Sequence, residues 1–146
     1  MYCILGSVPE NYQWIVQFLD MKADVSAGLY ELNSFLEICK KDTEYNIYYT
    51  ETLFLLSFLN INISDDKAVC VDLLQEIGDK YLQSPLLCFA AARLSAFLGK
   101  NDEVINILSS NLSKNQEFSF YYLDYLLGVA KLQNLDFTAS NHFQHY

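Results

Sequence analysis

Ser84-Pro85-Leu86-Leu87-Cys88-Phe89-Ala90-Ala91-Ala92-Arg93-Leu94-Ser95-Ala96-Phe97-Leu98-Gly99-Lys100-Asn101-Asp102-Glu103-Val104-Ile105 is the stretch whose reading decides the fold class. Proline ends one helix and occupies the first turn of another, so Ser84-Pro85 restarts the chain as a helix. From Pro85 to Leu98 the sequence is almost wholly apolar, and Ala90-Ala91-Ala92 gives a neighbouring helix room to come close. Gly99 is a candidate C-terminal cap, because glycine takes the left-handed conformation without a side-chain clash. Asn101 or Asp102 then caps the following helix, whose apolar stripe is Val104, Ile105, Leu108 and Leu112. The stretch is therefore one helix pair with a tight turn.

Working outward, the same unit recurs about every 35–40 residues, the mark of an array whose helix pairs cover one another. Second helices are predicted from near Ser26, Asp66, Asn101 and Asp136, each preceded by a longer, aromatic-rich first helix. The earliest first helix begins after Pro9 and carries Tyr12, Trp14, Ile15, Phe18 and Leu19. Its partner places Gly28, Leu32, Phe35, Leu36 and Cys39 on one face, with Lys40-Lys41 at the end that favours cations. Thr43-Glu44 opens the longest helix, running to about Ile61. Ser64 is the predicted N-cap of the next, whose stripe is Cys70, Leu73, Leu74, Ile77 and Tyr81. Lys114-Asn115-Gln116 reads as a loop, Phe118 to Leu135 as a helix, and Asp136 to Tyr146 as a last helix. With Tyr2, Ile4 and Leu5 at one end and Ala139 and Phe143 at the other, neither end has a polar capping pattern. The expectation is one helical-repeat domain over residues 1–146, a piece of a longer array that self-associates through uncovered ends.

Composition narrows the function classes. The net charge is −9, and Arg93 is the sole arginine beside eight scattered lysines. Without a basic face to neutralise phosphates, nucleic-acid binding is not expected, nor docking on anionic membrane. Five Gly and two Pro against eleven Tyr and ten Phe suit closely packed helices joined by short loops. Cys3, Cys39, Cys70 and Cys88 form no Cys-x-x-Cys pair, and three sit within apolar helical patterns, so buried thiols are expected. The first residues lack a basic segment followed by a long apolar one, and no apolar run is long enough to span a bilayer. The compartment is left open by these features.

Ala91-Ala92, Leu98-Gly99, Asp102-Glu103-Val104 and Leu108 together resemble the tetratricopeptide repeat. Leu127-Gly128 followed by Ala139-x3-Phe143 repeats that family's Leu-Gly and Ala-x3-Phe signatures, and Ser57 and Ser84-Pro85 match in the preceding unit. The likeness is most specific from Pro85 to Phe143, and Tyr121 to Gly128 resembles bacterial proteins of this kind. The resemblance implies an all-α, right-handed α-solenoid of about four antiparallel helix pairs. It also implies scaffolding rather than a reaction, with the first helices lining a concave surface. Mapped onto this sequence, the inward positions are Glu51, Phe54, Phe58, Phe89, Arg93, Phe97, Tyr122 and Tyr125. The family's clamp for peptide C-termini uses Lys and Asn where this chain has mostly aromatics.

Chemistry is sparse. His142 and His145 are three residues apart but lack further ligands nearby, so a metal is not expected. Glu31, Glu51 and Asp124 lie among apolar residues, where a buried carboxylate serves either as a general acid or as a polar tie to a tyrosine hydroxyl. Phosphate loops, nucleophile elbows and Cys-His pairs are missing from the sequence, so neither an enzyme nor a cofactor is expected. The resulting expectation is a non-catalytic module that binds a protein, as peptide or helix, in an aromatic-lined groove. The alternative is a carrier of a small apolar ligand in that groove.

Overall fold

The computed structural model describes residues 24–112 and 120–144, and all the regular structure among them is helical. The helix expected after Pro9, Cys3, the N-terminal apolar residues, the 114–116 loop and His145 lie outside the described residues. Two compact units divide the chain, the first ending at Asp66 and the second beginning at Lys67.

In the first unit, α1 spans Val25–Lys41. Asp24 is extended and its carboxylate accepts the Ala27 N–H at 3.1 Å, satisfying one of the donors a helix start leaves open. Gly28, Leu36 and Cys39 are the buried stripe, as the 3.6-residue period requires. The helix expected from Thr43 is shorter and starts later. Asp42 accepts the Glu44 N–H at 2.9 Å, an Asx turn that diverts the chain, and a 3-10 turn at Asn46–Tyr48 leads into α2, Tyr49–Leu59. Asn46 donates to the Cys39 carbonyl at 3.1 Å, closing the end of α1. Beyond α2 the chain widens into a π turn over Asn60–Ser64, and Asp65 follows in the left-handed region (φ 56°). Ser64 thus closes this turn instead of capping the next helix.

The second unit opens with α3, Lys67–Ile77, which buries Cys70, Leu73 and Ile77. Gly78, at φ +46°, ends it short of Tyr81 and turns the chain into a 3-10 segment, Gly78–Leu82. Helix α4 is Pro85–Phe97, with Pro85 in its first turn and Ser84 Oγ accepting the Leu87 N–H at 3.3 Å. Gly99 (φ +76°) closes it as expected: Lys100 N–H reaches Ser95 O and Gly99 N–H reaches Ala96 O, the two bonds of a Schellman cap. After three residues α5 runs over Asn101–Leu112, then α6 over Tyr121–Gln133 and α7 over Ala139–Phe143. The final helix is shorter than the sequence suggests. Asp136 accepts the Thr138 N–H at 2.9 Å and holds the chain in a turn until Ala139. Those hydrogen bonds from Thr138 lower the Asp136 pKa, so they favour the fold above the ordinary carboxylate range and are lost as acid protonates the group.

Three observations orient these helices. Asn101 at the start of α5 donates to Ala130 O (2.8 Å) and Asn134 Oδ1 (2.7 Å) at the end of α6, so α5 and α6 are antiparallel. Asn134 donates in turn to Asp102 Oδ1 at 2.8 Å. Asn101 and Asp102 therefore tie two helices together, beyond the capping role expected of them. Asn111, buried near the end of α5, donates to Tyr81 O at 2.6 Å, placing the exits of α3 and α5 side by side. Phe89 meets Phe120 and Tyr122, so α4 and α6 have their starts together. The core around α4 is small and apolar: Ala90, Ala91, Ala92 and Leu94 are buried on α4, which packs on α5, where Val104, Ile107 and Leu108 are buried. Cys39, Cys70 and Cys88 are buried and form no disulfide among the described residues, and burial pushes the Cys88 thiol up to about 12.

Candidate functional site

Of the expected groove residues, Glu51, Phe54 and Phe58 belong to α2 of the first unit. Phe54 is half-buried and stacks on the exposed Phe58 at 6.4 Å between ring centroids, while Glu51 faces solvent. The other five belong to the second unit, where α4 and α6 bring most of them together. Phe89 and Phe97 are half-buried and Arg93 is exposed, so none of this i, i+4, i+8 set is consumed by the core.

The centre of the surface is a run of aromatic rings. Phe89 lies 5.8 Å from Tyr122, Tyr122 stacks on Tyr125 at 5.6 Å, and Tyr125 meets Phe143 edge-on at 5.9 Å. Phe120 leans on both Phe89 and Tyr122 at 6.4 Å. Phe120, Tyr122, Tyr125 and Phe143 keep 36 to 38% of their surface, which places them at the boundary between core and solvent. Phe120 and Phe143 are additions to the predicted set. Phe143 reads as core in the sequence, but Gly128 lets it lie across α6: a Cβ on Gly128 would come within 2.8 Å of Phe143 Cε1 and 3.2 Å of His142 Cβ.

Beside this run, α4, α5 and α6 line an open cleft of about 110 Å³. Its buried floor includes Ala92, Val104 and Ala130, and Arg93, Ala96 and Gln133 stand exposed around it. The Arg93 guanidinium makes no hydrogen bond or ion pair with the described residues.

The candidate chemical groups form a different arrangement. Asp124 Oδ1 lies 3.3 Å from His142 Nδ1, and Lys131 Nζ lies 3.0 Å from His142 Nε2 and donates to Thr138 Oγ1 at 3.2 Å. Lysine has only donors to offer, so Nε2 is the acceptor and the ring proton sits on Nδ1 toward Asp124. Both imidazole nitrogens are engaged. Asp124 is a half-buried tie to a histidine on the next helix, where the sequence suggested a tyrosine hydroxyl. Glu31 and Glu51 are exposed, so they lack the burial that would prepare a carboxylate for acid catalysis. Among the described residues, no group of three His, Cys, Asp or Glu side chains is placed to hold a metal, and no helix is long and apolar enough to cross a membrane.

No family model matches this chain, and neither a curated protein nor a solved structure does.

Proposed function

We propose that this chain is a tetratricopeptide-like α-solenoid acting as a non-catalytic protein-interaction or scaffold module, which docks a peptide or helix on the aromatic surface of α4 and α6. The observation that carries this reading is the continuous ring run Phe89–Tyr122–Tyr125–Phe143, borne on α4, α6 and α7 and held at the solvent boundary. Aromatic side chains with an arginine nearby are the residue types that dominate binding energy at protein interfaces. The antiparallel α5–α6 pair, the matched exits of α3 and α5 and the matched starts of α4 and α6 support a repeat arrangement in the second unit.

The carrier alternative needs a larger enclosed volume, since pockets for small molecules usually run to ~300 Å³ or more. The cleft of about 110 Å³ that α4, α5 and α6 line is too small for a lipid-sized ligand. Native mass spectrometry of gently isolated protein tests the choice. A co-isolated polypeptide lost on changing Tyr122 and Tyr125 to Lys is expected, whereas a retained lipid-sized adduct would favour the carrier.

A further inference from the structure

We infer that the cleft between α4, α5 and α6 is a specificity pocket for one aliphatic side chain, with Arg93 and Gln133 receiving a carboxylate carried beside that side chain on the same docked segment. The inference deepens the docking reading and rests on it. A dry cavity of about 150 Å³ takes a benzene ring. The cleft, at about 110 Å³, is smaller and suits the branched end of a Leu or Ile side chain. Its floor is aliphatic, through Val104, Ala92 and Ala130, and the Asn101 amide that also lines it already donates to Ala130 O and Asn134 Oδ1, so a polar occupant would lose hydrogen bonds on entry.

The rim has the opposite character. Arg93 is the sole arginine of a chain with net charge −9, yet no described carboxylate pairs with it. Gln133, across the cleft on α6, is exposed and its side chain makes no hydrogen bond with the described residues. A guanidinium and an amide supply planar donors that suit a carboxylate's two oxygens. The surrounding negative charge disfavours a broadly acidic partner, so the segment carries its carboxylate locally and is neutral or basic elsewhere. A second copy of this chain fits poorly for the same reason. An aliphatic anchor with Asp or Glu one helical turn away meets both requirements.

The test uses the full chain and three blocked helical peptides that differ at two positions four residues apart: Leu with Glu, Leu with Gln, and Ala with Glu. Methyl signals of Val104 and Val129 report the cleft, and ring signals of Tyr122 and Tyr125 report the aromatic surface. The Leu/Glu peptide is expected to shift the valine methyls, and the Ala/Glu peptide to leave them in place. Exchanging Glu for Gln in the peptide, or Arg93→Gln in the protein, is expected to weaken binding about tenfold, with no further loss when both are made. Arg93 is exposed, so its variant should fold. Valine shifts absent at millimolar Leu/Glu peptide, or an unchanged affinity in Arg93→Gln, would overturn the pocket. If the tyrosines alone respond, the pocket is wrong and the docking surface stands; if neither set responds to any peptide, both readings fail.

Discussion

The two units use the same kinds of polar residue to different ends. In the first, buried or half-buried polar side chains mostly bond one turn back along their own helix: Thr52 to Tyr48 O, Ser57 to Leu53 O and Asn60 to Leu56 O. Such bonds satisfy the side chain but do not tell one helix where another should sit. In the second, Asn101, Asn111 and Asn134 reach across 29 to 33 residues to other elements. Those bonds set register, and the aromatic surface and cleft are built on the helices they fix. A site that depends on relative helix position therefore belongs where the polar ties run between helices.

The largest expected effect breaks that contrast directly. Asn111→Ala leaves the Tyr81 carbonyl without its donor and opens space beside α5, and should cost about 2–3 kcal/mol. Asn60→Ala, equally buried, should cost about 1 kcal/mol or less, because Leu56 O still accepts the Asn60 backbone N–H. Equal losses in urea unfolding of the two variants would erase the distinction between the units. Next comes Gly128→Leu. Its side chain would occupy the place of Phe143 and His142, costing about 1–3 kcal/mol and displacing α7. Loss of the ring-current shifts between Tyr125 and Phe143 should accompany the lower midpoint, and an unchanged midpoint would show that α7 is not packed on α6.

A gain of about 1 kcal/mol is expected from Leu135→Gly. Leu135 occupies the left-handed position of a second Schellman cap, at φ 57°, with its N–H on Leu132 O and Asp136 N–H on Lys131 O. Its side chain is 82% exposed, so little packing is lost. The smallest effect separates two serines on first helices. Ser95 is fully buried and its hydroxyl has no hydrogen-bond partner, whereas Ser57 donates to Leu53 O. Ser95→Ala should be neutral or stabilising by under ~1 kcal/mol, and Ser57→Ala should lose about 0.5 kcal/mol. Thermal midpoints moving the same way in both would contradict it.

Helix existence was legible because it rests on local signals: apolar period, Pro85 in a first turn, Gly99 past a last one. The close approach at Gly128 falls on the Leu-Gly and Ala-x3-Phe residues that carried the resemblance. What the period could not reveal were the interruptions. The Asx turn at Asp42, the π turn before Asp65, Gly78 and the Asp136 turn arise from single side chains or backbone angles that leave the apolar pattern intact. The candidate site was legible as a list of first-helix aromatics, but its grouping was not. Phe120 precedes α6 and Phe143 mimics a core residue, so neither stands out by position. The cleft had no signal at all, since it is made by three helices that each look ordinary alone.

Site-specific photo-crosslinking in cells tests the docking surface most directly. A photoreactive phenylalanine derivative placed at Tyr122 samples the aromatic run, and one at the exposed Asn106 on α5 samples a surface of the same unit that lacks it. The expected result is a discrete polypeptide adduct from position 122 that is missing from position 106. Equal adducts from both positions, or an adduct from 106 alone, would contradict the assignment of the aromatic surface as the place where this chain meets its partner.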